Sequence, residues 1–228
     1  MKLAALLLAG VTFASSAAFA QEAPAAAPAA DNATVNRTSK SEELDRKTRA
    51  LDVFFACVVT RSPMGSVSAL AVPADKPAAT TAIAKLLDAD DVGKDCLSAA
   101  GGFKLGAQRD FYRAGLARAV YLRKYDSAPL ALLPVAETLA GETREPNAMR
   151  AFAACLVDAD LQSGDALIRS RAGSPEEMAA IRSLQPAMPG CVDQKARVAL
   201  TRQSLRAGIA EALYERVTPL TETTSGLN

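Results

Sequence analysis

Residues 104–123, KLGAQRDFYRAGLARAVYLR, and residues 197–216, RVALTRQSLRAGIAEALYER, are two versions of one stretch. Eight aligned positions are identical: Arg109/Arg202, Arg113/Arg206, Ala114/Ala207, Gly115/Gly208, Ala117/Ala210, Ala119/Ala212, Tyr121/Tyr214 and Arg123/Arg216. Leu105, Tyr112, Leu116 and Val120 fall on one stripe of a helix, and Val198, Leu205, Ile209 and Leu213 repeat it. Apolar residues at that spacing predict a long amphipathic helix, twice.

Upstream the match continues. Phe54-x-Ala-Cys57-Val-Val aligns with Phe152-x-Ala-Cys155-Leu-Val at an offset of 98. The same offset pairs Leu70 with Ile168, Pro77 with Pro175, and Leu86 with Leu184; after a small shift Cys96 pairs with Cys191. Two Ala-rich helices can resemble each other by chance. Matched cysteines and Arg-Ala-Gly-x-Ala-x-Ala-x-Tyr in the same order make a tandem duplication the better explanation.

The expected units are 41–125 and 146–217, joined by a connector at 126–145. Each reads as three helices: 41–61 and 146–162, then 77–88 and 175–185, then 104–124 and 195–217. Ser174-Pro175-Glu-Glu177 is a strong helix start, with Ser as N-cap and Pro at the first helical position. Leu130, Leu132, Leu133 and Val135 predict a short packed helix in the connector. Ser62-Pro-Met-Gly65 reads as a turn, and Asp158-x-Asp160 as a solvated helix end rather than a calcium loop. No stretch alternates long enough for a strand. Units of about 80 residues with few aromatic side chains make small cores. The expected fold is therefore all-α: two tandem, duplicated three-helix units packed as one pseudo-symmetric domain.

The ends read as non-globular. Residues 1–20 have the form of a signal peptide: Lys2, an apolar run from Leu3 to Phe13, and Ala18-Phe19-Ala20 as a cleavage site. The run is shorter than the roughly 20 residues a membrane span needs. Residues 21–40 are rich in Ala and Pro and predict a flexible linker; residues 218–228 predict a disordered tail. Asn32 and Asn36 sit in sequons, which are short and frequent motifs. Export places the chain in a bacterial periplasm or outside the cell, with no membrane span once the leader is removed.

In an oxidising compartment four cysteines imply two disulfides. Pairing within units is simplest: Cys57–Cys96 and Cys155–Cys191. Each loop closed is worth roughly 4 kcal/mol in the chain-entropy model. The spacings offer neither a Cys-x-x-Cys redox motif nor a zinc motif.

Composition narrows the chemistry. The chain has 26 Lys+Arg against 25 Asp+Glu, which lacks the basic excess of a nucleic-acid binder. It has no histidine, which excludes Ser-His-Asp and Cys-His catalysis and His-ligated zinc. No catalytic residue, metal ligand or cofactor fingerprint stands out, so no cofactor is expected. The candidate positions for a ligand or partner are Arg109, Arg113 and Tyr121, with Arg202, Arg206 and Tyr214 as their repeats. These side chains run along the edge of the core face. Two readings follow. Each arginine caps a neighbouring helix end or pairs with a core carboxylate; or the arginines and tyrosines line a groove between the units that suits an anion or an acidic peptide. The expected function is a non-enzymatic protein-binding or assembly module with a possible envelope protein partner. The alternative is a histidine-independent enzyme or binder acting on an anionic or cell-wall ligand through the arginine rows. Oligomeric state is not legible.

Overall fold

The computed structural model describes residues 32–102, 111–127, 148–192 and 200–217, with side chains described from residue 40 onward. These residues form helices and no strand. The N-terminal half holds α1 (Asn32–Arg61), α2 (Pro63–Ala71), α3 (Pro77–Asp88), α4 (Val92–Ala99) and α5 (Tyr112–Lys124). The C-terminal half holds α6 (Ala148–Ala159), α7 (Leu161–Arg169), α8 (Pro175–Leu184), α9 (Met188–Cys191) and α10 (Arg202–Val217).

Three helices per half is thus an undercount. Pro63 does not make a turn with Ser62; it occupies the first turn of α2, where a missing N–H costs nothing. Asp160 is not a mere helix end. Its carboxylate accepts from the Ser163 N–H at 3.0 Å and starts α7 one residue after α6 stops. The short α4 and α9 carry the second cysteine of each half. The linker boundary also moves: α1 begins at Asn32, not near residue 41, because nothing in Asn32–Lys40 breaks a helix. The expected connector helix and the first turns expected at 104–110 and 195–199 lie outside the described residues.

Ser174 behaves as its position suggests. Its hydroxyl accepts from the Glu177 N–H, while the Glu177 carboxylate takes the Gly173 N–H at 2.8 Å. Between α3 and α4 the chain turns through Asp90 (φ 47°) and Asp91 (φ 55°), left-handed positions that Asp tolerates better than most residues.

Two apolar clusters form the interior. The first gathers Phe54, Phe55 and Val58 of α1 with Leu70, Ile83, Leu86 and Leu116. The second gathers Phe152 and Leu156 of α6 with Leu167, Ile168, Leu184, Ile209 and Leu213. The clusters exchange one residue. Tyr214 of α10 packs in the first, and Tyr121 of α5 packs in the second. The halves are therefore not independent globules, since each completes its interior with a tyrosine from the other. Helices α5 and α10 lie against each other at the seam, flanked by α1 and α6. Gly115 lets α5 approach α1: a Cβ there would stand 2.4 Å from the Phe55 ring.

Both disulfides pair within halves. Cys57–Cys96 ties α1 to α4, and Cys155–Cys191 ties α6 to α9; each spans a Cα separation of 5.5 Å. Among the described residues no single helix is long and apolar enough to cross a membrane.

Candidate functional site

The arginine row sits on the seam. Arg113, on α5, donates to the carbonyls of Val72 (2.9 Å) and Leu70 (3.1 Å), the last turn of α2. Arg206, on α10, donates to the carbonyls of Leu167 (2.6 Å), Ile168 (3.3 Å) and Ser170 (2.7 Å), the last turn of α7. Leu70 and Ile168 are aligned in sequence, and so are Val72 and Ser170. The two matched arginines therefore satisfy matched carbonyls. A helix end leaves four carbonyls without an intrahelical partner, and a buried end needs donors. A guanidinium supplies several at once and brings a charge that favours the negative end of the helix dipole.

Each arginine also meets carboxylates of the opposite half. Arg206 pairs with Asp52 of α1 at 3.2 Å and with Glu177 of its own half at 3.5 Å. Arg113 faces Glu211 and Glu215 of α10, both at 3.7 Å. Around them, two aligned positions carry opposite charge in the two halves. Asp52 pairs with Arg118 at 3.1 Å. At the aligned positions stand Arg150 and Glu211. Arg150 reaches Glu215 at 2.7 Å. Asp52 and Arg150, like Arg118 and Glu211, are thus aligned positions of opposite sign, although Arg150 takes Glu215 rather than Glu211. A search of the aligned halves for exchanged charges would have found Asp52/Arg150 and Arg118/Glu211.

The remaining candidates are also engaged by the protein. Arg202 holds Asp45 (2.8 and 3.0 Å) and the Ser41 hydroxyl (2.9 Å), which fixes α10 to α1. The Tyr121 hydroxyl donates to buried Asp165 at 2.7 Å, and Asp165 pairs with Arg169 at 2.7 Å. Tyr214 is buried at the seam. Arg109 lies outside the described residues.

Burial sets the electrostatics. It drives the Tyr121 phenol above its ordinary range, and the hydrogen bond to Asp165 adds to this. It pushes Tyr214 up to about 12. Arg118 is lowered to about 10, first by burial and then by Arg206 and Arg169, with Asp52 opposing. Glu211 is raised to about 7, chiefly by burial, with Arg113 and Arg150 opposing and Glu215 reinforcing.

Between α1, α5 and α10 lies a cleft of about 410 Å³, counting the part open to solvent. Its mostly apolar wall includes Leu51, Phe111, Ala114, Ala207 and Ala210. Of the six candidate side chains, Arg206 lines it. Arg113, Tyr121, Arg202 and Tyr214 are not among the residues that line this cleft. No group of acidic or cysteine side chains suited to a metal ion occurs among the described residues. The chain matches no protein-family model, no curated protein and no solved structure.

Proposed function

We propose that this chain is an exported, non-enzymatic protein-binding or assembly module, built as a tandem duplication of one helical unit. The use of the arginines carries this reading. Arg113 and Arg206 bind the carbonyls that end α2 and α7 and the carboxylates across the seam. Those guanidiniums hold the scaffold together, which removes the main support for an enzyme or anion binder acting through the rows.

Element bounds support duplication. Helices α2 and α7 have nine residues each and start 98 apart; α3 and α8 start 98 apart as well. Two disulfides suit an oxidising compartment, in keeping with the leader-like residues 1–20. A seam held by buried ion pairs and two staples suits a rigid part that presents a fixed surface.

The test is photo-crosslinking. A photoreactive residue is placed at Val53, 51% exposed on α1, in the oxidised protein without residues 1–20. The protein is then exposed to envelope extract. Support is one captured protein that, once purified, binds saturably and is displaced by unlabelled chain. Size unchanged by extract under all conditions, or turnover of a cell-wall substrate, would refute the proposal.

A further inference from the structure

We propose that Glu211 is a proton-operated latch on the seam: neutral, it lets α5, α6 and α10 close on one another; ionised, it loosens them. Glu211 and Glu215 stand one turn apart on α10 and face two guanidiniums, Arg113 from α5 and Arg150 from α6. The arginines are not shared evenly. Arg150 binds Glu215 at 2.7 and 3.1 Å. Arg113 gives both terminal nitrogens to the end of α2, and its Nε makes no hydrogen bond. Glu211 is left with one contact among the described residues, that Nε at 3.7 Å. It is a carboxylate with 17% of its side chain exposed, beside the like charge of Glu215, and among the described residues that one pair at 3.7 Å is its polar partner.

Such a site favours the protonated acid. The shift of Glu211 to about 7 agrees with that geometry. The neighbouring groups set the contrast. Burial pushes Tyr214 up to about 12, and Glu215 is anchored by Arg150. The chain has no histidine, so no imidazole competes near neutrality. The other edge of the seam is built differently. There Arg118 stands at the position aligned with Glu211; it bonds the Ile168 carbonyl at 2.6 Å and Asp52 at 3.1 Å. Among the described residues of the two edges, the Glu211 edge is the one set to respond to protons.

The sign follows from linkage. A carboxyl whose folded pKa lies above its unfolded value of about 4.5 stabilises the closed seam most at acidic pH, and loses that contribution as pH rises through about 7. The experiment is amide hydrogen exchange on the intact, oxidised protein at pH 5.5 and 8, corrected for intrinsic exchange, for wild type and Glu211→Gln. The wild-type opening equilibrium of α10 is expected to rise at least about tenfold over that interval, one pKa unit's worth, while the amide variant stays flat. Superimposable pH profiles would overturn the proposal. Should the variant fail to fold, carbon-13 NMR of the wild-type Glu211 carboxyl decides: a midpoint at or above 6 sustains the latch, and one below 6 overturns it.

Discussion

Replacing Arg206 by Met keeps the length and apolar stem of the side chain and deletes its guanidinium. That group is 4% exposed. Its removal strips donors from the carbonyls of Leu167, Ile168 and Ser170 and leaves Asp52 and Glu177 without this cation. Breaking a buried ion pair from one side costs about 3–5 kcal/mol, because the partner stays desolvated. The Ser170 carbonyl loses its donor, which adds about 1–3 kcal/mol before relaxation or water entry, whereas Ile168 keeps Arg118 and Leu167 keeps the Ser170 hydroxyl. Arg118 and Arg202 still serve Asp52 and Glu177, which limits the loss. The expected destabilisation is about 4 kcal/mol, a large share of the roughly 5–15 kcal/mol typical of a folded chain. Urea unfolding of the oxidised protein, followed by far-ultraviolet circular dichroism, measures it. Arg113→Met removes two carbonyl bonds and two ion pairs at 3.7 Å, so its cost is smaller, about 2–3 kcal/mol. Arg206→Lys should not rescue, since one ammonium cannot serve three carbonyls and two acids in fork geometry. A loss under about 1 kcal/mol for Arg206→Met would refute the scaffold role and return this arginine to the ligand-binding reading.

Other perturbations separate the halves. Gly115→Ala should cost about 1–3 kcal/mol, because its Cβ meets the buried Phe55 ring at 2.4 Å, whereas Gly208→Ala meets Ala153 at 3.0 Å and should cost clearly less; thermal unfolding compares them. Tyr121→Phe should cost about 1–2 kcal/mol by removing the hydrogen bond to Asp165. In an alkaline titration followed at 295 nm, Tyr121 and Tyr214 should ionise well above the ordinary value near 10, so stability falls as pH climbs past 10; ordinary titration of both in folded protein would contradict their burial. Cys96→Ser or Cys191→Ser, opening loops of 39 and 36 residues, should each lose up to about 4 kcal/mol under oxidising conditions and nothing further under reducing ones.

Much was legible from residues alone. Helical periodicity, the matched cysteines and Ser174-Pro175 depend on neighbours in sequence, and the helical fold, the α8 cap and both disulfide pairs follow from them. Misreadings arose where one local signal serves two structures. Ser62-Pro63 marks a turn or a helix start, and Asp160 marks a helix end or an N-cap; only the next helix decides which. The role of the candidate residues was not legible. A guanidinium reads the same in sequence whether it faces a ligand or the end of α7.

By itself, then, the sequence determined the all-helical class, the pairing of the cysteines and the recurrence of Arg113 and Arg206 at one spacing, because each is set by spacing along the chain. Tertiary structure alone decided that those arginines end matched helices, that Tyr121 and Tyr214 trade clusters, and that Asp52 takes Arg118 while Arg150, aligned with Asp52, takes Glu215. Those outcomes join residues far apart in the chain. Burial fixes them, because a desolvated guanidinium, phenol or carboxylate must find its partner wherever the fold delivers one.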